Sequence, residues 1–387
     1  NQKSKNFSLL SSIEKVLFII IAIVAIGASF ITFRKMFRAI GRGTQPINWK
    51  AVWSNYSKGL EVFISQNTLF KSRPVIGLVH AFVAWGFTLY LLVNVVDVLY
   101  GFIPGFHFFP DHFIGKAYRV FVDVFTVMVL LGVIYFLLRR FVLKDSRLNI
   151  NEPVMLSPEA KKGMRMDSLI VGFFILFHVG ARFLSASFEI AKNNADSFQP
   201  AATMVSLLWS NFPEDSIIFY EHVTWWIALG LILGFLPYFP YSKHAHLFMG
   251  PLNYMVPDDK KSMASIETIN FEDDSIEQYG SNQLQHLPQS QLLDAYACIQ
   301  CSRCQDACPA YETGKELSPS ALEINKRYFL NTHLDEFIDG SIPDASITDI
   351  LLTDEAAWSC TTCGFCVEVC PVGNEPMVDI LRARQDL

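Results

Sequence analysis

Five stretches of this chain are too long and too apolar for the core of an ordinary soluble domain. A bilayer core takes about 20 apolar helical residues, because a helix satisfies its own backbone where lipid offers no hydrogen-bond partner. The runs fall at residues 16–33 (VLFIIIAIVAIGASFITF), 74–100, 117–138, 168–190 and 216–240. The second contains Asp97 as its only carboxylate. A cleaved leader would account for the first run alone and for none of the other four. A hydrophobic content of 51% against 18% charged residues agrees with a chain that spends much of its length in lipid.

Basic residues orient the spans. Arg34, Lys35, Arg38, Arg42, Lys50, Lys58, Lys71 and Arg73 follow the first run, and Arg139, Arg140, Lys144, Arg147, Lys161, Lys162 and Arg165 follow the third. Residues 101–116 and 191–215 hold one lysine each, Lys116 and Lys192. The positive-inside rule puts the two basic loops in the cytoplasm, the N-terminus outside, and everything after Tyr241 inside. The expected location is the inner, cytoplasmic membrane. Residues 49–62 (WKAVWSNYSKGLEV) read either as a helix on the inner interface, with Trp49 and Trp53 at headgroup depth, or as a loop helix packed on protein.

All eight cysteines lie between Cys298 and Cys370, far from a disulfide scaffold's even spread, which points to a reducing compartment. Cys298-Ile-Gln-Cys301-Ser-Arg-Cys304-Gln-Asp-Ala-Cys308-Pro309 is C-x2-C-x2-C-x3-C-P. The pattern recurs from Cys360 through Cys363 and Cys366 to Cys370-Pro371. Three thiolates at this spacing wrap one face of an iron–sulfur cubane, and the fourth reaches the other cluster. Cys298, Cys301, Cys304 and Cys370 are therefore expected to hold one [4Fe–4S] cluster, and Cys360, Cys363, Cys366 and Cys308 the second. Paired structural zinc sites are the plain alternative, but zinc has no use for the trailing Cys-Pro.

The roughly fifty residues between the motifs look helical: Ser318-Pro319 reads as a cap and first helical residue, and Ala321, Leu322, Ile324 and Tyr328 form an apolar stripe. The expected fold is all-α. Residues 1–250 form a five-helix transmembrane domain, 251–290 an acidic cytoplasmic linker, and 291–387 a helical dicluster ferredoxin domain. No glycine-rich dinucleotide fingerprint or nucleic-acid signature is present.

The segments QLLDAYACIQCSRCQDACPAYETGKELSP and WSCTTCGFCVEVCPVGNEP resemble the ferredoxin domain of membrane-bound heterodisulfide-reductase-like proteins. That family includes electron-transfer-flavoprotein:menaquinone oxidoreductases, which fuse a cytochrome b domain similar to the nitrate reductase gamma subunit to a dicluster domain. Family members add cysteine-rich CCG modules. This chain has no Cys–Cys pair, so such a module would sit on sequence outside it.

The resemblance implies b-type haem. FPYSKHAHLFMGPLNYM matches a Phe-Pro-x-Ser-basic stretch preceding a ligand histidine, which aligns His246, and not His244, with the ligand. His80 matches its partner. Tyr90 and Ala228 stand at the family's outer-haem ligand positions, where neither can ligate iron. A relocated second haem on His178 and His222 is one reading. The other is a single haem, with these residues at a quinone site or in packing. Arg119, Asp123, Arg182 and Glu189 fall in or at the ends of spans and need partners: haem propionates, a proton relay to quinone that includes Glu221, His178 and Arg182, or plain ion pairs.

The resulting expectation is a subunit of a quinone-linked oxidoreductase, passing electrons between a cytosolic partner and quinone through clusters and haem b. The implied partner is a CCG-type subunit, an electron-transfer flavoprotein, or both. Two rivals remain: a cofactor-free membrane anchor for a ferredoxin module, and a component of a redox-driven ion pump.

Overall fold

The computed structural model describes residues 9–193, 195–256, 269–272, 278–342 and 345–387, and among these the chain is helical, with no strand beyond one isolated bridge between Thr44 and Pro288. Five helices are long and apolar enough to cross a membrane: α1 (Ser12–Ile40), α2 (Pro74–Phe102), α3 (Phe113–Leu137, continued by a π-helical turn to Val142), α4 (Pro158–Lys192) and α5 (Glu214–Phe235). Only 22 to 39% of each apolar window is buried by protein, so most of that surface needs lipid.

The ends differ from the apolar runs for local reasons. Ser11 and Glu14 form reciprocal bonds that start α1 ahead of its first lipid-grade residue: the Ser11 amide donates to Glu14 (2.9 Å) and the Glu14 amide to the Ser11 hydroxyl (3.4 Å). At α4 the Ser157 hydroxyl accepts from the Ala160 amide (3.1 Å) and Pro158 takes the first helical position, ten residues before the apolar run begins at 168. By contrast α5 stops at Phe235, short of residue 240: Leu236 still has helical dihedrals, but Pro237 has no N–H with which to continue the ladder.

The chain divides into two compact units, the first made of the described residues of Asn1–Phe30, Ile76–Val142 and Leu169–Tyr238, the second of Ile31–Val75, Leu143–Ser168 and Phe239–Leu387. In the first unit α1 packs on α5 through Phe18, Ala25, Trp225, Leu229 and Leu233. A β-carbon at Gly86 would stand 2.3 Å from Val129, so this glycine lets α2 and α3 approach closely. Charges within the spans are paired, as the ion-pair reading has it. Arg182 donates to Asp97 (3.2 Å), Arg119 pairs with Asp196 (2.8 Å), and Glu189 lies 4.0 Å from His107. Asp123 accepts the amides of Ala201 and Ala202 (2.8 and 3.0 Å), capping the short helix Pro200–Ser206.

The second unit does not begin at residue 251 or 291. Met36, Ala39, Ile40, Ile47 and Val52 share one core with Leu292, Leu293, Tyr296 and Ala321, so the basic-loop residues and the cysteine-bearing segment fold together. Its main helices are α6 (His246–Met255), α7 (Gln289–Ala297), α8 (Pro319–Thr332), α9 (Asp354–Ser359) and α10 (Pro376–Asp386). The Ser318 hydroxyl caps α8 by accepting from the Ala321 amide (3.1 Å). Residues 49–62 break into two helices, Trp49–Ser54 and Tyr56–Ser65. Gly59 on the second lies against Met255 and the Pro251 carbonyl, whereas Trp53 is 70% exposed. That segment is therefore packed on protein along one face. Of the expected linker, residues 257–268 and 273–277 lie outside the described residues.

A buried charge knot ties α8 to α10: Lys326, fully buried, reaches Asp379 (2.5 Å) and Glu323 (3.2 Å). Burial works against the Lys326 ammonium, but the two carboxylates outweigh it and hold its pKa above the ordinary value. Removing one member of such a group strands the others in low dielectric. We expect Lys326→Met to cost about 3–5 kcal/mol, seen as a lower urea midpoint of the helical signal. An unchanged midpoint would show that the knot contributes nothing.

Candidate metal centres

The two cysteine motifs are built on one backbone plan. In the first, α7 ends with Cys298 as its C-terminal cap; Gln300 and Ser302 adopt left-handed φ of 55° and 59°, and a helical turn, Arg303–Asp306, follows. In the second, α9 ends with Cys360 as its cap; Thr362 and Gly364 have φ of 52° and 75°, and Phe365–Glu368 follows. Left-handed residues two and four places after the first cysteine turn the chain sharply, and three of these four positions are not glycine. Such conformations cost free energy and persist where the surroundings impose them. The turns also aim backbone N–H groups at sulfur: Gln300 donates to Cys298 (3.4 Å) and Thr362 to Cys360 (3.4 Å), while past the second motif Asn374 donates to Cys370 (3.2 Å).

Cys298, Cys301, Cys304 and Cys370 line one small cavity, closed further by Val372 and Pro376, with Cys366 also on its wall. Cys360, Cys363 and Cys366 follow the same turn in the second motif, and Cys308 stands in the first motif where Cys370 stands in the second. Among the described residues, no three His, Cys, Asp or Glu side chains converge as they would on a single metal ion. Thiols that share a cavity without meeting at a point suit the corners of a larger inorganic core better than one zinc. Burial pushes the Cys298 and Cys366 thiols up to about 12, and raises Cys304 and Cys370 well above the ordinary range. Thiols in this state are protonated until a cation arrives, so loading with iron releases protons.

Each helix that ends in a motif's first cysteine has its last carbonyls gathered by an arginine from elsewhere in the unit. Arg327 on α8, fully buried, donates to the carbonyls of Ala295, Tyr296 and Cys298 (3.4, 3.4 and 3.1 Å). Arg384 on α10 donates to those of Ala357 (2.6 Å) and Cys360. Arg73 reaches the Cys301 carbonyl (2.9 Å), and buried Arg303 the Leu69 carbonyl (3.0 Å). None of these arginines stands out in the sequence.

The histidines part company. His246 opens α6 and donates from Nδ1 to the Lys243 carbonyl (2.5 Å), which sets the tautomer with the lone pair on Nε2. Burial pulls its pKa down to about 4, so the ring is neutral, as a ligand to haem iron requires. His244 is buried beside Phe239. His80 is half-buried on α2, its ring 6.4 Å from that of Phe136. His80 and His246 belong to different units.

His178 is engaged at the two positions where the resemblance puts outer-haem ligands. Its Nδ1 donates to the Ala228 carbonyl (2.8 Å), and its ring lies 5.7 Å from that of Tyr90, with Phe174 stacked at 5.8 Å. His222 bonds Glu14 of α1 instead (2.6 Å). Along α5 the level of His222 is about 9 Å from that of Ala228 at 1.5 Å per residue. Nothing sets these two rings across one porphyrin, and the residues present do not fit a second haem. Glu221, fully buried, accepts from Tyr100 (2.9 Å) and pairs with Lys192. The three residues expected in a proton relay are thus held by Ala228 (His178), Asp97 (Arg182), and Tyr100 with Lys192 (Glu221).

Comparison with known proteins identifies residues 294–374 as a 4Fe–4S dicluster domain. The chain is 29% identical to a probable iron-sulfur-binding oxidoreductase, FadF, of Bacillus subtilis, over 87% of this chain and 49% of that protein. It is 28% identical to an EtfAB:quinone oxidoreductase of Syntrophomonas wolfei, over 81% of this chain and 46% of that protein. A probable membrane-anchored ferredoxin of Chromohalobacter salexigens is 32% identical over 25% of this chain and 17% of its own length. The chain thus spans about half the length of the two longest-matching relatives. No solved structure matches it. With its five apolar helices, the chain stands among membrane-associated iron–sulfur electron-transfer proteins.

We expect Arg384→Met to destabilise the second unit by about 1.5–3 kcal/mol, the worth of a hydrogen bond to a charged group. The readout is faster loss of iron to a chelator than in wild type. Equal rates would remove the arginine from the account of the centre.

Proposed function

We propose that this chain is the membrane-anchored electron-transfer part of a quinone-linked oxidoreductase, exchanging electrons between a soluble redox partner and the quinone pool. The observation that carries the reading is two cysteine motifs on one backbone plan within one folded unit, four of their thiols lining one cavity, on a chain with five lipid-length helices. Cys298, Cys301, Cys304 and Cys370 hold one [4Fe–4S] cluster, and Cys360, Cys363, Cys366 and Cys308 the other. When bound, such clusters supply one-electron chemistry, which suits a partner that gives electrons singly to a two-electron quinone.

The protein's own contribution is to bury the sulfurs, aim N–H groups at them and fix each motif by an arginine. N–H···S bonds stabilise the more negative reduced state of a cluster. The second group is the accessible one: Cys363 is exposed, with Trp358 and Phe365 beside it in the chain 61 and 56% exposed. A redox partner has its shortest approach there. The name of the Syntrophomonas wolfei relative supports an electron-transfer flavoprotein as that partner and quinone as the other substrate. The CCG-type module belongs to the same proposal. One haem b is assigned to His80 and His246, supported by the resemblance and by the neutral, Lys243-oriented ring of His246.

Low-temperature electron paramagnetic resonance on single-cysteine variants tests the ligand exchange between motifs. We expect Cys308→Ser to alter the signal of the cluster held by Cys360, Cys363 and Cys366 and leave the other unchanged, with Cys370→Ser doing the reverse. Variants that each disturb only their own motif's cluster would overturn the assignment. His80→Ala is expected to abolish the α-band of haem b while iron–sulfur content stays at the wild-type level, and an undiminished α-band would remove His80 as a ligand.

A further inference from the structure

Within the first unit, a cavity of about 400 Å3 lies between α2, α3, α4 and α5, at the end of the bundle reached by Phe106, Asp111, Asn193 and Gln199. That volume lies in the range of small-molecule sites, about 300–1,000 Å3. Val96, Ala186, Ile190 and Leu229 give it apolar walls.

Its polar groups are few and divide into occupied and available. Tyr100 lines it but spends its hydroxyl on Glu221 (2.9 Å). Glu189 and His107 face each other at 4.0 Å on its more exposed side. Arg182 is braced by Asp97 through Nε (3.2 Å), which leaves the other N–H groups of the guanidinium for a further acceptor. Tyr118 is the unusual member: its hydroxyl is buried and has no hydrogen-bond partner among the described residues. A buried hydroxyl left unbonded costs about 1–3 kcal/mol. Such a group asks for an explanation, and a ligand that accepts from it is one.

A ligand matching these walls is flat and apolar, with acceptor oxygens for a phenol and a guanidinium. Haem does not match, because His107 is the only imidazole on the lining and it faces Glu189. We propose that this cavity binds the ring of a quinone, with the Tyr118 hydroxyl and the Asp97-braced Arg182 as donors to its carbonyl oxygens. The inference rests on the quinone-linked reading above and adds where the quinone sits.

The test uses the full chain in lipid nanodiscs and a fluorescent quinone-site probe, 2-heptyl-4-hydroxyquinoline N-oxide, displaced by menadione. Tyr118→Phe removes one donor and is expected to weaken probe binding about five- to tenfold. Ser185→Phe fills the cavity from its wall and is expected to abolish saturable binding. Tyr220→Phe, on an exposed side chain off the lining, should bind as wild type does. Far-ultraviolet circular dichroism and a thermal midpoint equal to wild type certify that the helices of each variant are folded, and Ser185→Leu replaces Ser185→Phe where the latter fails this control. Wild-type protein without menadione-displaceable binding would overturn the quinone-linked reading and this site with it. Wild-type binding that Tyr118→Phe and Ser185→Phe both leave intact would overturn this site alone, since the quinone would then bind elsewhere. A water filling the cavity, with no ligand role, gives that same second result.

Discussion

A helix that must end on a metal-binding cysteine meets two demands at one point. Its last carbonyls have no intrahelical partner, and its sulfur must turn inward, where carbonyl dipoles of the same sign already crowd. Arg327 and Arg384 meet both demands, each donating to the carbonyl of its motif's first cysteine and to one or two just before it. The cation offsets the negative end of the helix and fixes the direction of the chain as it leaves. The left-handed turns at Gln300, Ser302, Thr362 and Gly364 then have a fixed start. With the start fixed, the following sulfurs are placed by covalent geometry, and strain at three residues other than glycine becomes tolerable. Since Arg327 sits on α8 and Arg384 on α10, the helices between and after the motifs are part of the centre, and not a spacer and a tail.

The same economy governs the membrane helices. Asp97, Arg119, Asp123, Arg182 and Glu221 would each be costly in lipid, and each is satisfied by protein, through an ion pair or by capping a short helix. These partnerships draw on several helices and the loops joining them, so the charges set how the bundle is assembled at that end. Against so thorough a pairing, one buried hydroxyl without a partner carries more information than any of the charges.

Much of this was legible in the sequence, and the reasons follow the range of the interactions. The five spans were readable because the bilayer imposes length and apolarity residue by residue, and the cap at Ser318 because capping is local. The dicluster domain was readable because a duplicated cysteine motif is a local, fixed-spacing signal. Helix ends were less so. The apolar runs mark only the lipid-facing part of α1 and α4, whose polar extensions are set by Ser11 and Ser157. The partners of Arg182 and His178 were beyond reach, because a contact between residues 85 or 50 positions apart leaves no periodic trace.

The division of the chain was hardest to foresee, and it follows from where apolar surface is covered. Met36, Ala39 and Ile40 close the end of α1, beyond the apolar run that ends at residue 33. They are buried against Leu292, Leu293 and Tyr296, so the unit that carries the cysteines includes the basic loops between the spans. One core for loops and cysteine motifs removes the need for a flexible tether between them. Electron transfer between fixed centres falls steeply with distance, and a shared core holds such distances without the entropy that a tethered domain loses each time it docks. The segments that carry the basic residues thus also supply part of the hydrophobic floor on which the cysteine motifs stand.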